Sequence, residues 1–450
     1  MLAAMPEREM PADGPPVDPG ALIRSRQYRI ILVFAAILGV VVSLAAWGFL
    51  ELVHGIQQLV YDDLPGDLGF DSTPWWWPLP WLAFAGLLTA LAITRLPGTG
   101  GHVPANGLST GVGPTQPIDL PGVLVAALAT LGLGLVLGPE APLIALGMGL
   151  GVLAVRRAKP DAPDQLVMVM AAAGSFAAIS TVFGSPVIGA VILIEAAGLG
   201  GATLPVVLLP GLIAAGLGSL VFIGMGDWTG LSTSAWALSP FDLEPYSQPT
   251  AVHFVWAIVL AVAAAIVVYA IVALARVLAR VVARRPVLFT TLAGVAVGAL
   301  AVAFNQVTDQ PTDVVLFSGQ DAFSEMLKEA PDLSLSVFAW LLLFKGIAWS
   351  ISLGSFRGGP TFPALFLGTV GGLLAADLPG LSETPAVAVL MGAACVSMLR
   401  LPLSSVVIAL LLTSSAGLAV GPLIIVAVTA AYITTEVLAA RFEPAPVAAG

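Results

Sequence analysis

Apolar residues run in blocks along this chain, and the block lengths predict its architecture. Two blocks, 30–61 and 251–283, are long enough to cross a bilayer obliquely as single helices. Other apolar runs cover 81–95, 123–137, 166–182, 204–225, 288–304, 335–353, 387–399 and 404–428. Several of these are shorter than the roughly 20 residues a membrane crossing needs, and they begin or end at Gly or Pro. Short, Gly/Pro-interrupted segments mark discontinuous helices that meet at the midplane of a transporter. The pattern therefore predicts an all-α polytopic membrane protein.

The polar segments set its expected orientation. Residues 1–26 are rich in Pro, Ala and charge and lack the apolar core of a cleavable signal, so a disordered cytoplasmic tail is expected there. Arg24, Arg26 and Arg29 precede the first long run and place that end in the cytoplasm. Arg276, Arg280, Arg284 and Arg285 form a second basic cluster on the same expected side, whereas Arg156, Arg157 and Lys159 are not placed by parity. Residues 441–450 read as a short tail with no appended soluble domain.

Composition narrows the function classes. Of 450 residues, 58% are hydrophobic and only 10% charged, with a mean hydropathy of +0.99, which excludes an ordinary soluble domain. No basic stripe suggests nucleic acid. The single Cys395 and the scattered His54, His102 and His253 offer no metal-ligand spacing, and no cofactor is implied. Neither H-E-x-x-H nor G-x-S-x-G occurs, so no enzyme is expected.

One carboxylate stands out. Between positions 120 and 154, Glu140 is the only ionisable side chain. A charge at membrane depth costs at least a few kcal/mol unless compensated, which makes it a candidate functional residue. Gly138-Pro139 before it and Pro142 after it have the form of a helix start. A helix start supplies free N–H groups and a positive dipole end, an anion site. Glu140 can occupy the place of such an anion and so reads as a tethered competitor, a gate. Residues 142–151 align with 363–372, an offset of 221, and Met170 falls on Met391 at the same offset. Residues 183–189 fall near 399–405, five residues out of step. These matches predict two related halves, about 27–226 and 250–440, whose helix starts near 140 and 361 face each other across one site.

The motifs resemble those of the CLC family of chloride channels and proton-coupled chloride exchangers. Gly98-Thr99-Gly100-Gly101-His102-Val103-Pro104 resembles its GSGIP-type selectivity loop. Gly138-Pro139-Glu140-Ala141-Pro142 resembles its G-(K/R)-E-G-P gate, and Gly358-Gly359-Pro360-Thr361-Phe362-Pro363 its G-G-x-F-x-P loop. Phe183-Gly184-Ser185-Pro186, running on to Glu195, is similar to its F-N-x-P…I-E helix, and Lys345 with Gly354-Ser355 looks like the stretch before the third motif. The resemblance spans about residues 27–440. It implies an antiparallel two-repeat fold with discontinuous helices meeting at the midplane, and a homodimer with one anion pore per subunit. It also implies a gate at Glu140 and anion-binding positions at Thr99, Gly100, Gly138, Ala141, Thr361 and Phe362. Arg357 is expected in a vestibule, where a snorkelling or capping role is equally open.

Departures from the family pattern shape the expected mechanism. Thr99 stands where most members have Ser, and its hydroxyl can donate similarly. Pro139 and Pro360 lack the N–H that such positions present, so halide affinity is expected to be modest. Glu195 reads as a structural helix-end carboxylate; the second glutamate of the exchangers would follow it, and that position is Ala196. The family's late pore tyrosine has no match, since Tyr432 lies within an apolar helix.

The expected function is a passive chloride channel, multi-pass in the plasma (inner) membrane, with a small anion and the lipid bilayer as partners. A chloride/proton exchanger with another inner proton route, and a fluoride-type anion exchanger, are alternatives of the same fold. A non-transporting membrane sensor or partner-binding protein is the alternative of another class.

Overall fold

A computed structural model of the chain describes residues 19–108, 113–198, 204–229, 238, 240–320 and 322–443. The first half contains α1 (Pro19–Arg24), α2 (Arg26–Gln58), α3 (Leu64–Asp67), α4 (Pro78–Arg95), α5 (Leu120–Gly132), α6 (Glu140–Ala158), α7 (Asp164–Val182), α8 (Pro186–Ala196) and α9 (Leu204–Thr229). The second contains α10 (Ala251–Val282), α11 (Pro286–Thr308), α12 (Ala322–Glu329), α13 (Leu335–Ser355), α14 (Thr361–Ala375), α15 (Glu383–Leu399), α16 (Pro402–Leu412) and α17 (Gly421–Phe442). Among the described residues nine helices are long and apolar enough to cross a membrane, and α8, α14, α15 and α16 are apolar but shorter.

Most apolar runs form the expected helices, with three corrections. The run 404–428 is two helices, because Gly417 turns at φ 89° and Gly421-Pro422 starts α17 afresh. The run 123–137 is helical only to Gly132, and Gly134 at φ 104° diverts the chain toward α6. The N-terminal tail does not extend to residue 26: Pro19–Arg24 is already helical, and Ser25 caps α2 by accepting from the Tyr28 N–H at 3.1 Å. Residues 1–18 and 444–450 of the expected tails lie outside the described residues.

Helix packing repeats across the two halves. In the first, α2 packs on α9 and α7, α7 on α6, α8 and α9, and α4 on α5. In the second, α10 packs on α17 and α15, α15 on α14, α16 and α17, and α11 on α13. The same set of neighbours thus recurs with α2, α4, α5, α6, α7, α8 and α9 replaced by α10, α11, α13, α14, α15, α16 and α17. The halves join where α4 packs on α11 and α8 on α16.

Close approach explains the glycines that carry the repeat. A Cβ on Gly147 would meet the backbone of Gly174, and one on Gly151 the backbone of Met170, so α6 and α7 cross backbone to backbone. At the same offset Gly368 lies against Leu390 and Met391, and Gly372 against Val387, so α14 and α15 cross alike. In a bilayer, where water exclusion adds little between helices, such contacts supply the association energy. Gly147→Val and Gly368→Val are expected to destabilise the protein by about 1–3 kcal/mol or more, from overpacking. Gly371→Ala, whose Cβ would meet only the Leu390 side chain at ordinary contact distance, should leave thermal unfolding in detergent nearly unchanged.

Candidate functional site

The two corresponding helix starts meet. Gly138 and Gly359 form an antiparallel bridge, in which the Gly138 N–H donates to the Gly359 carbonyl at 2.7 Å and the Gly359 N–H donates back. Each is followed by a proline in nearly the same conformation, Pro139 at φ −84°, ψ −5° and Pro360 at φ −93°, ψ −8°. Proline fits here because it stands just before the first helical residue and needs no N–H. The bridge corrects the expectation for Gly138: its N–H is committed to Gly359 and is not free for an anion. Read at the repeat offset, both starts are Gly-Pro-x-x-Pro, a signal that would have located the bridge.

Glu140 is fully buried and reaches across this bridge. Its Oε1 accepts the backbone N–H of Thr361, the first residue of α14. The carboxylate of one repeat therefore sits at the helix N-terminus of the other, where backbone donors and the helix dipole favour negative charge. Among the described residues its Oε2 and the Thr361 hydroxyl, both buried, have no hydrogen-bond partner. A Cβ on Gly138 or Gly359 would collide with the carboxylate, so glycine at both positions is what admits it. Phe362 follows Thr361, is fully buried, and stacks on Phe183 with ring centroids 5.2 Å apart and planes at 16°. Glu140 and this aromatic pair fill the space between the helix starts.

Beside Ala141, which follows Glu140, lies a cavity of about 370 Å³ lined by Gly100, Gly101, His102, Ala141, Arg357 and Gly358, among others. Gly100 and Ala141, expected as anion-binding positions, both line this cavity. Thr99 does not: it is exposed and does not line the cavity. The loop runs through four consecutive left-handed residues, Gly98, Thr99, Gly100 and Gly101, with φ of 78°, 48°, 72° and 93°, and this winding presents Gly101 and His102 to the cavity in place of the Thr99 hydroxyl. His102, which had looked isolated in sequence, is fixed by a 2.8 Å hydrogen bond between Nε2 and the Gly107 carbonyl. The Arg357 side chain donates to the carbonyls of Phe356 (3.0 Å) and Thr99 (3.4 Å) and has no ion-pair partner among the described residues. It brings a positive charge to this cavity, whose lining also includes Asp119.

A second cavity, of about 220 Å³, is lined by Leu108, Ala196, Tyr269, Arg276, Arg400 and Thr435, among others. Leu108 lines both cavities. Tyr269 was missed in sequence because it comes from α10, far from the C-terminal region where a pore tyrosine was sought; Tyr432 lies in α17. Ala196 presents no ionisable group here. The role of Glu195 is structural. It accepts the Leu403 N–H at 2.9 Å, the Ser404 N–H at 2.7 Å and the Ser404 hydroxyl at 2.6 Å, capping α16 from the opposite half. Lys345 is also structural, donating to the carbonyls of Val314 (2.9 Å) and Leu316 (2.7 Å) and lying over the Phe366 ring at 4.5 Å.

Known proteins share both sequence and fold. The family model described as Voltage gated chloride channel matches residues 98–435. YfeO of Escherichia coli O139:H28, named for ion transport, is 29% identical over 355 residues, 78% of this chain and 80% of its own length. YfeO of Salmonella paratyphi A is 29% identical over 359 residues, 78% and 81% of the two chains. Among solved structures, a slow cyanobacterial Cl⁻/H⁺ antiporter superposes with a TM-score of 0.73 at 19% identity, covering 91% of this chain and 94% of that one. A CLC-type fluoride/proton antiporter superposes at 0.64 with 15% identity, covering 91% and 95%. At these identities the superpositions speak for the fold alone.

Thr99→Ala should leave halide binding in detergent unchanged, whereas Arg357→Gln should weaken it, most clearly at low ionic strength where its field is least screened. Glu195→Ala removes the cap on α16 and is expected to cost about 1–2 kcal/mol in thermal unfolding, with no change in the pH dependence of transport.

Proposed function

The chain belongs to the Voltage gated chloride channel (CLC) family, and on that premise we propose that it is a passive chloride channel gated by Glu140. The observation that carries this reading is the Glu140 carboxylate accepting the Thr361 N–H at the start of α14. That position suits a small, partly dehydrated anion, and the protein fills it with an anion of its own. Chloride entering from the Arg357 side would meet the backbone of Gly100 and Ala141 and displace the carboxylate from the Thr361 and Phe362 end of the site. With donors that are mostly neutral N–H groups, binding stays weak enough for release.

Glu140 has two routes away from Thr361: displacement by the incoming anion, or protonation. Burial disfavours its charge and the helix terminus favours it, so both chloride and acid are expected to open the path. The exchanger reading draws on solved structures of the same fold described as antiporters. Against it stands Ala196, which leaves no carboxylate beside Glu195 to hand a proton on. The proposed location is the plasma (inner) membrane, and Arg24, Arg26 and Arg29 ahead of the first long helix support a cytoplasmic N-terminus. The outward apolar faces of α8, α9, α16 and α17, with Val187, Leu212, Leu403 and Ile425 exposed, suit an isologous dimer interface.

In proteoliposomes, Glu140→Gln and Glu140→Ala should raise chloride flux and flatten its dependence on pH. A chloride gradient should drive no uphill proton movement in the wild type. Unchanged flux and pH response would remove the gate, and chloride-driven proton uptake would replace the channel with the exchanger.

A further inference from the structure

The second cavity has a carboxylate of its own at its edge. Glu443, directly after α17, receives both the Arg276 Nη1 at 2.6 Å and the Arg400 Nη2 at 2.7 Å on a single oxygen, Oε1. Arg276 comes from α10 and Arg400 from the end of α15, so the two guanidiniums reach one point from separate helices. Arg400 holds a left-handed backbone, φ 57°, at the position that closes α15, a conformation that costs a non-glycine residue free energy. All three side chains remain partly exposed, at 33%, 34% and 27% for Arg276, Arg400 and Glu443. Both arginines line the cavity itself.

Two guanidiniums converging on one oxygen is also the arrangement that holds a monatomic anion. The hydroxyls of Ser397 and Thr435 donate back to the carbonyls of Ala393 and Ala431, and the two arginines are the charged donors among the residues that line the cavity. We propose that Arg276 and Arg400 form a second small-anion site at the mouth of this cavity, with Glu443 as its resident competitor. The inference rests on the reading of the chain as an anion conductor and gives that reading a second binding step.

The surroundings keep Glu443 charged. Burial alone would raise its carboxyl, but the hydrogen bonds and charges of Arg276 and Arg400 outweigh that and hold it below the ordinary carboxylate range. The other charged or titratable neighbours include Glu436, 3.9 Å from the Arg400 Nε, Arg280, whose Nε donates to the Arg276 carbonyl at 3.3 Å, Arg441 over the Phe442 ring, and Tyr269 packed beside that ring. At neutral pH the competitor leaves by displacement and not by protonation.

The test uses bromide, which is located by anomalous diffraction, on the wild type, Glu443→Ala, and Glu443→Ala combined with Arg276→Gln. Bromide is expected between Arg276 and Arg400 in Glu443→Ala and absent from the other two. The chloride concentration for half-maximal flux from that side should fall several-fold in Glu443→Ala. Glu443→Gln, uncharged and nearly isosteric, gives the same comparison should the alanine variant fail to fold. An empty site in both variants, or bromide beside an unmoved Glu443 in the wild type, overturns the proposal. If the site stays empty while Glu140→Gln still raises flux, only the second site fails. If bromide occupies it and no variant carries chloride, the second site stands and the channel reading fails.

Discussion

Everything about the pore turns on one hydrogen bond between the halves, from the Thr361 N–H to the Glu140 carboxylate. A buried carboxylate in an apolar interior is tolerated only where donors and a favourable potential replace water. Here the replacement comes from the N-terminus of α14, the counterpart of the helix that carries Glu140. The reciprocal Gly138–Gly359 bridge holds the two starts together, and the absence of a Cβ at both positions leaves room for the side chain. The bridge commits two N–H donors to rigidity and leaves fewer for an ion.

That arrangement needs helices that stop at mid-depth, which explains the Gly and Pro content better than loops do. The prolines begin helices where no N–H is required, and the glycines let α6 cross α7, and α14 cross α15, at backbone contact. Because both halves use the same crossings, their starts arrive in the same conformation and can pair. The Glu195 cap on α16 adds a second tie between the halves. The packing motif is thus also what aligns the site.

Glu140, the long helices and the repeat were legible in the sequence because each leaves a local or periodic trace: a lone charge, an uninterrupted apolar run, glycines at a fixed offset. The bridge was half legible, since the shared Gly-Pro-x-x-Pro is visible but hydrogen-bond partners are not. The exposure of Thr99 was not legible because the four consecutive positive-φ residues that wind this loop leave no trace of side-chain direction in the sequence. Tyr269 and Glu443 acquire their neighbours through tertiary contacts from helices distant in sequence, and no spacing rule reports these. The split at Gly417 was missed because Ser, Thr and Ala keep the run apolar enough to look continuous.

The space between the helix starts and the Arg276–Arg400 cavity would present different electrostatics to an anion. Between the helix starts, on the channel reading, an ion would meet neutral dipoles in a buried setting, with Arg357 in the adjoining cavity, and a full counter-charge at that point would bind too tightly for rapid release. At the Arg276–Arg400 end the groups are partly exposed, so solvent screens full charges down to a modest attraction. Charged donors thus suit the wet end and uncharged donors the dry middle. Ala196, lining the second cavity, adds no carboxylate to Glu443 and Glu436, which already offset the charge of the arginines.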